Sequence, residues 1–266
     1  MLAVGKELLI GRTLNSNAHW MGRRLARMGT MLKEITTIDD DLGEISLSLR
    51  AALKRSPDFL VVVGGLGPTP DDMTLKGVAE GLGVRLRRNE GALQLIREHY
   101  ARRGLAQIEL TPARLKMARL PAGAEPLPNG VGTAPGVRIV TGRTIVFCLP
   151  GVPLEMRNIF RNSVEPEIRG RVGKLHRKYV RMKLEGVLES ALAPLIAGEL
   201  KRHPGAYVKS HPRGIRDGVS RIELDIAVVG EDSKKTAVEG ETIAREMALQ
   251  VGKAGGRVKS ARGLNG

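Results

Sequence analysis

Short apolar runs alternate with amphipathic stretches through the first half of the chain. Leu2 to Val4 and Phe59 to Val63 are continuous apolar runs, as expected of strands that are covered on both faces in a parallel sheet. Thr74 to Leu82 carries apolar residues at the spacing of one helix face. The order strand, helix, strand, helix, strand, helix predicts right-handed crossovers and a mostly parallel α/β sheet in three layers.

Polar residues and glycines mark where the other elements of this half begin and end. Asn15 or Ser16 can cap a helix that ends at Gly29. A strand is predicted over Met31 to Ile38, and Asp39 to Asp41 then lead into a second helix.

Further along, a helical pattern is predicted from Asn89 to Ala118, followed by a loop rich in Pro and Gly from Leu120 to Gly136. Two strands, Val137 to Thr141 and Thr144 to Leu149, form a predicted hairpin, and Pro153 opens a helix.

The pattern changes near residue 170, which predicts a second domain. We therefore expect a domain over 1–170 and a small α+β domain over 171–266. The second domain is predicted as β-α-β-β-α, with a strand around Val180 to Leu184, a helix at Ser190 to Arg202, strands at Ala206 to Ser210 and Arg221 to Val229, and a helix at Ser233 to Val251. The tail from Gly252 to Gly266 is predicted to fray.

The segment from Val62 to Thr74, V-V-G-G-L-G-P-T-P-D-D-M-T, is the most informative about function. Its glycines Gly64, Gly65 and Gly67, with Leu66 between them, allow a sharp turn and close approach of a ligand to the backbone. Successive N–H groups in such a turn form an anion-binding concavity, and a helix that begins nearby adds its positive end. The segment predicts a site for a phosphate ester or diphosphate.

Two acidic residues, Asp71 and Asp72, close this segment. Beside an anion site, paired carboxylates indicate an intervening divalent cation, with Mg²⁺ favoured and Co²⁺ or Mn²⁺ as alternatives. We therefore predict that both are catalytic and metal-binding. The structural alternative is that one of them only caps the helix at Thr74.

Ligands in parallel sheets lie beyond the carboxyl ends of the strands, and several further polar residues are predicted at that edge. The predicted ligand-binding residues there are Arg12, Asn15, Asn17, Asp39, Asp40, Thr69, Thr74, Gly132, Thr133 and Gly136. For Asn15, capping is the stronger alternative, and 132–136 is equally well explained as a plain surface loop.

Composition narrows the function classes. The net charge is +15, but the excess is spread along the chain and only 3% of residues are aromatic, which argues against a nucleic-acid partner. Arg169 to Lys183 is a local basic segment, which is best explained as a solvated face. The absence of a long apolar run or a signal-peptide pattern predicts a cytoplasmic protein without membrane association.

Cysteine and histidine offer little evidence of chemistry. Cys148, the single cysteine, lies in an apolar run and is expected to be an inert core residue. The five histidines show no metal-ligand spacing, which argues against a zinc site.

Four segments in order carry a family resemblance: E-L-L-I-G-R-T-L-N-S-N from Glu7, G-G-L-G-P-T-P-D-D-M-T from Gly64, N-G-V-G-T-A-P-G from Asn129 and L-P-G-V-P-L-E-M from Leu149. Together they resemble the N-terminal domain of the competence/damage-inducible CinA proteins, within the MoaB/Mog-like molybdopterin-binding fold.

The resemblance implies a nucleotide- or pterin-type phosphate ligand, a metal-dependent ADP-ribose pyrophosphatase activity and a homo-oligomer, either a dimer or a trimer. It also implies the alternative of a molybdopterin-binding or adenylyl-transfer module in molybdenum cofactor biosynthesis, with Asp71 or Asp72 as the acidic residue. The amidase domain that follows in full-length CinA proteins is not expected here.

Overall fold

The structure is a computed structural model that describes residues 1–105 and 107–264. The chain forms two compact units. The first unit contains Met1–Leu25 and Met31–Arg171, and the second contains Ala26–Thr30 and the chain from Val172 onward.

The first unit is built on a six-stranded sheet. The strands of this unit are β1 (Leu2–Val4), β2 (Thr36–Ile38), β3 (Phe59–Val63), β4 (Leu86–Arg88), β5 (Arg119–Pro121), β6 (Glu125–Leu127), β7 (Gly136–Thr141) and β8 (Thr144–Leu149). The six-stranded sheet has the order β2-β1-β3-β8-β7-β6, and β7 runs in the direction opposite to that of the other five strands. The strands β4 and β5 form a separate antiparallel pair. The predicted three-layer, mostly parallel α/β fold is confirmed.

Helices connect these strands. They are α1 (Lys6–Leu9), α2 (Ser16–Arg27), α3 (Leu42–Lys54), α4 (Thr74–Leu82), α5 (Glu90–Arg102), α6 (Pro112–Lys116), α7 (Pro153–Ile159) and α8 (Glu165–Val172), with a π-helical turn at Phe160–Val164 between the last two. The helix α4 has the predicted bounds. The side chain of Asp41 caps α3 by accepting a hydrogen bond from the N–H of Glu44 at 2.9 Å.

The strand order creates a switch point between β1 and β3. From β1 the chain crosses to β2 on one side, and from β2 it returns to β3 on the other side. Right-handed crossovers in opposite directions place their helices on opposite faces and leave a crevice at the carboxyl ends of the two central strands. The loops after Val4 and Val63 therefore begin at the place where this fold class binds ligands.

The core of the first unit explains why β3 and β8 read as continuous apolar runs. All six residues of β8 and four of the five residues of β3 are buried. Cys148 is completely buried there, and burial raises the pKa of its thiol to about 12. The thiol is therefore protonated and unreactive at neutral pH.

Three sequence predictions in this unit were wrong in extent. Of the predicted strand at 31–38, only Thr36–Ile38 pairs with β1. The predicted helix at 89–118 is two helices, because α5 ends before Gly104, whose φ is +76°, and α6 restarts after the cap residue Thr111. The predicted loop at 120–136 contains the short strand β6 and the end of β5, whose backbone groups pair across the chain rather than locally.

The second unit is an antiparallel sheet with two helices. Its elements are β9 (His176–Glu185), α9 (Glu189–Arg202), β10 (Tyr207–Arg216), β11 (Val219–Gly230), α10 (Ser233–Lys253) and β12 (Arg257–Arg262). The sheet order β10-β11-β9-β12 and the succession β-α-β-β-α-β are those of the ferredoxin-like arrangement. The α+β prediction is confirmed with one strand added.

That added strand corrects the prediction of a frayed tail as far as residue 264; the last two residues of the predicted tail lie outside the described part of the chain. The strand β12 pairs with β9, and Arg257 lies opposite Glu185. The guanidinium of Arg257 and the ammonium of Lys259 both bind the carboxylate of Glu185, at 2.9 and 3.1 Å. Polar tail residues thus gain backbone pairing and ion pairs that local composition does not indicate.

The basic segment Arg169 to Lys183 is also less solvated than predicted. Within the second unit, Lys178 binds Glu241 at 2.7 Å and Arg181 binds Asp225 at 2.7 Å. Acids that are distant in the sequence therefore neutralise part of the segment.

None of the helices in the described residues is long and apolar enough to cross a bilayer.

Candidate functional site

The turn after β3 begins with a glycine that the packing itself requires. The N–H of Gly64 donates to the carbonyl of Leu149 at 3.0 Å. A Cβ on Gly64 would lie 2.1 Å from the carbonyl oxygen of Val4, and its φ is +112°. Gly64 therefore joins β1, β3 and β8 at close range, and its amide is not available to a ligand.

The backbone amides of the next three residues differ from that of Gly64 in their hydrogen bonding. The N–H groups of Gly65, Leu66 and Gly67 donate to no acceptor within the described part of the chain. Gly65 has φ +62°, which turns the chain so that its carbonyl accepts from the N–H of Thr74, at 3.2 Å, where α4 begins. Consecutive unpaired amides beside a helix N-terminus form an anion-binding concavity.

A hydrogen-bonded turn fixes the far side of this loop. The carboxylate of Asp72 accepts from the N–H of Thr69 at 2.9 Å and from the Thr69 hydroxyl, and the N–H of Asp72 donates back to the Thr69 carbonyl at 3.1 Å. The cap residue of α4 is Met73, which makes no side-chain cap bond. Asp72 thus orders the turn, and neither aspartate caps α4.

Asp71 projects from the same turn and is exposed. Hydrogen bonding from the Thr69 hydroxyl, followed by its own backbone N–H, lowers the pKa of Asp71. The single hydroxyl hydrogen of Thr69 serves Asp71 or Asp72, one at a time. Asp71 is ionised at neutral pH, which suits a cation ligand rather than a proton donor.

Two cavities of the first unit open on this loop, and both are lined by Gly65, Leu66, Gly67, Asp72 and Met117. The larger, of about 810 Å³, is here called the Lys116 cavity, because Lys116 lines it together with the basic residues Lys76, Arg85 and Arg119. The smaller, of about 460 Å³, is called the Glu155 cavity and is also lined by Tyr100, Thr133, Ala134 and 150–152.

Lys116 connects the larger cavity to the turn. Its ammonium donates to the carbonyl oxygen of Thr69. The residue lies at the end of α6, far from the loop in sequence, so no local pattern marked it. Lys116 brings a positive charge beside the unpaired amides and close to the carboxylates, where Lys116 contributes to the lowered pKa of Asp71.

The loop from Asn129 forms the wall of the Glu155 cavity. Asn129 is buried, its side-chain oxygen accepts from the N–H groups of Val131 and Gly132 at 3.1 and 2.9 Å, and its amide donates to Glu155 at 2.6 Å. Gly132 leaves room for that carboxylate, because a Cβ there would lie 2.0 Å from Glu155 Oε2. Thr133 lines the cavity.

Gly136 has a different role from Thr133. It lies at the start of β7, where a Cβ would come within 2.9 Å of Ile159. Gly132 and Gly136 therefore shape the wall, and neither lines the two cavities described above.

Acidic side chains also gather at the carboxyl end of β2. The carboxylate of Asp40 accepts from the N–H of Lys6 at 2.9 Å, and Asp39 accepts from the N–H of Asp40 at 2.8 Å. Burial raises the pKa of Asp40, and the negative charges of Glu7, Asp39 and Asp71 raise it further. The loops after β1, β2 and β3 thus concentrate negative charge at the switch point.

The remaining predicted residues are placed as follows. Asn15 caps α2 by accepting from the N–H of Ala18 at 3.0 Å, and Arg12 is exposed in the preceding loop. Asn17 donates to the carbonyl of Gly151 at 2.7 Å, next to the Glu155 cavity, and its buried oxygen has no partner in the described structure. The Thr74 hydroxyl is likewise buried and unpartnered, against Gly65.

Sequence reasoning missed Lys116, Tyr100 and Arg119, which the β4-β5 ribbon and the helices α5 and α6 carry to the loop. For Glu155, the sequence offers two interpretations, an active-site acid and, as the stronger alternative, a complement to the dipole of α7. The segment L-P-G-V-P-L-E-M was the available signal for Glu155, since it places an acid in the first turn of the helix that follows β8.

Comparison with known proteins identifies the family. Residues 1–170 match the family model described as "Probable molybdopterin binding domain". A protein of Pyrobaculum arsenaticum is 39% identical over 262 residues, covering 98% of this chain and 97% of its own. A protein of Metallosphaera sedula is 43% identical over 232 residues, covering 87% and 86%.

Among solved structures, the crystal structure of "the protein CinA with unknown function" from Thermoplasma acidophilum is 42% identical, with a TM-score of 0.57. The match covers 63% of this chain and 96% of that one. The chain therefore belongs to the molybdopterin-binding domain family, residues 1–170 carry that domain, and it is similar there to the CinA protein of Thermoplasma acidophilum.

Proposed function

We propose that the first unit binds a phosphate-containing nucleotide or pterin at the turn after β3 and hydrolyses its diphosphate. The reaction is that of a metal-dependent ADP-ribose pyrophosphatase. One observation carries the proposal: the unpaired amides of Gly65, Leu66 and Gly67 face two cavities that share those residues with Asp72. This combination of backbone donors, concave space and acids suits a diphosphate bound together with a cation.

The chemistry of the carboxylates fits a divalent ion. All the charged oxygens at the turn belong to aspartates, and burial, followed by the negative charges of Glu7, Asp39 and Asp71, raises the pKa of Asp40 nearby. No three acidic, histidine or cysteine ligands of the described switch-point loops lie within 4.8 Å of one another. Mg²⁺ typically binds through one or two carboxylates, waters and substrate phosphates, so Asp71 and Asp72 would hold it without a complete protein cage.

When bound, Mg²⁺ neutralises phosphoryl oxygens and polarises a water. Residues of the chain orient the phosphoryl groups of the substrate. The three unpaired amides bind the oxygens of one phosphoryl group, and Lys116 neutralises charge on the other. Water adds to one phosphorus in line with the bridging oxygen, the bond from phosphorus to that oxygen breaks, and two phosphomonoesters leave. The Thr69–Asp72 hydrogen bonds hold the turn in place during this step.

The test is incubation of the purified chain with ADP-ribose and Mg²⁺, followed by chromatographic detection of AMP and ribose 5-phosphate. Asp71→Asn should lower turnover about 100-fold without a change in melting temperature, because Asp71 is exposed. The matched control is Asp217→Asn, an exposed aspartate in the second unit, which should retain full activity. Absence of AMP from the wild-type chain with Mg²⁺, Mn²⁺ or Co²⁺ would contradict the proposal.

The alternative function is molybdopterin binding or adenylyl transfer, and the family match over residues 1–170 favours it. Calorimetry with molybdopterin and with AMP separates the alternatives. Tight molybdopterin binding without ADP-ribose turnover would select the alternative. Sedimentation analysis tests the accompanying proposal of a homodimer or homotrimer.

A further inference from the structure

A cluster of metal-ligand side chains lies in the second unit, outside the site described above. Glu199 lies in the last turn of α9, His203 is the cap residue that follows this helix, and Glu246 projects from α10. One ligand atom from each of the three lies within 4.8 Å of the others. The N–H of His203 donates to the carbonyl of Glu199 at 2.8 Å, so two ligands lie close together at the end of α9 and the third closes the group from α10.

The carboxylate of Glu199 is the second observation that points to a ligand. Its side chain has 0% exposure. Oε1 accepts from the amide of Gln250 at 2.8 Å and from the guanidinium of Arg202, whereas Oε2 has no hydrogen-bond partner in the described structure. A buried carboxylate oxygen without a partner is costly, and a bound cation would satisfy it.

His203 has the kind of carboxylate partner that metal-binding histidines commonly have. Its Nδ1 lies 3.0 Å from the carboxylate of Glu239. A carboxylate on one ring nitrogen fixes the tautomer and leaves Nε2 as the atom with an available lone pair. Glu239 is therefore a positioning residue in this arrangement.

We propose that Glu199, His203 and Glu246 form a binding site for a divalent transition metal, which joins α9 to α10. Two carboxylates and one imidazole suit Zn²⁺, Co²⁺ or Mn²⁺. Water completes the coordination. The site is independent of the cation proposed for Asp71 and Asp72, which belongs to the first unit.

Arg202 competes with the metal for the same oxygens. Its guanidinium binds Glu199 and lies 3.3 Å from Glu246, and its side chain is 50% exposed. The negative charge of the two carboxylates can be neutralised fully by a divalent ion or partly by this guanidinium. Metal binding therefore requires Arg202 to swing into water, and removal of Arg202 should tighten binding. A histidine that captures metal adventitiously would not show this response.

The experiment uses the full chain after chelator treatment. Zn²⁺ titration by calorimetry should give one site that persists in Asp71→Asn, and Co²⁺ should give a visible absorption band. His203→Ala and Glu246→Gln should each weaken the affinity for Zn²⁺ at least about tenfold. Glu239→Gln should weaken it less, because Glu239 only positions His203. Arg202→Gln should tighten it about tenfold. The matched control is His211→Ala, since His211 also lies beside a carboxylate, Asp225, at 3.3 Å.

Circular dichroism of each variant without metal shows that it is folded, and Glu246 and His203 are partly exposed, so their substitution leaves the core intact. Absence of Zn²⁺ binding by the wild-type chain would overturn the proposal. So would unchanged affinity in folded His203→Ala and Glu246→Gln, or an equal loss in His211→Ala.

Discussion

The turn after β3 and the cluster around Glu199 handle charge in opposite ways. In the turn, backbone amides remain unpaired and the acid Asp71 is exposed. In the cluster, Glu199 is fully buried and a neighbouring arginine neutralises part of its charge. The turn offers positive dipoles to an anion, whereas the cluster offers lone pairs to a cation.

The difference teaches how each kind of site can be recognised. A site made of backbone amides is local, because glycines at fixed positions in one turn create it. A site made of side chains from two helices depends on tertiary packing. Sequence spacing indicates only those ligands that lie close together in the chain. Four predictions test this distinction, in order of decreasing effect.

The first concerns Gly64, the base of the turn. Gly64→Ala places a Cβ 2.1 Å from the Val4 carbonyl at φ +112°. We expect a loss of about 3 kcal/mol or more in the free energy of unfolding, measured by urea denaturation. Gly11→Ala is the control, because Gly11 has φ +73° with open space around it and should cost only about 1–2 kcal/mol. Equal losses would show that close packing does not fix the turn.

The second concerns the positive charge beside the turn. Lys116→Met removes the ammonium that binds the Thr69 carbonyl while keeping the length of the side chain. Affinity for the phosphate ligand should fall about tenfold, as measured by calorimetry with ADP-ribose. Lys234→Met, at an exposed position on α10, should bind as the wild type does. Unchanged affinity in Lys116→Met would show that the Lys116 cavity is not part of the phosphate-binding site.

The third concerns the buried carboxylate of the cluster. Removing a buried ion pair in favour of apolar packing is often neutral or stabilising, and no buried charge is left behind here because the partner Arg202 is half exposed and can turn into water. Glu199→Met should therefore raise the metal-free stability by about 1 kcal/mol, while it abolishes Zn²⁺ binding. Thermal unfolding with and without Zn²⁺ measures both effects. A large loss of stability would mean that Glu199 is a structural hydrogen-bond acceptor.

The fourth concerns the negative potential at the switch point. The pKa of Asp40 is raised in the folded chain, so the folded state holds this proton more tightly than the unfolded state does. Stability from this group is present below the unfolded pKa near 4 and is lost as pH rises through the folded value. Asp40→Asn should thus stabilise the chain at pH 7 by less than about 1 kcal/mol.

The gain in Asp40→Asn should vanish below pH about 3.5, as followed by urea denaturation across the pH range. A gain that is independent of pH would assign the effect to packing rather than to charge.

Local signals in the sequence located much of the first unit. The bounds of α4, β3 and β8 follow from apolar runs and helical periodicity that a residue's near neighbours determine. The tail strand β12 was missed because its residues are polar, and it is ordered only by pairing with β9 and by ion pairs to Glu185.

The candidate site shows the same distinction between features set by local sequence and features set by tertiary packing. The sequence alone determined the glycine turn, its acids and the switch-point loops, because each is encoded within a few residues. Only the tertiary structure decided that Gly64 is committed to Leu149, that Lys116 reaches Thr69, and that Glu199 meets Glu246. These contacts join residues far apart in the chain, where packing of the whole unit rather than local conformational preference sets the distance.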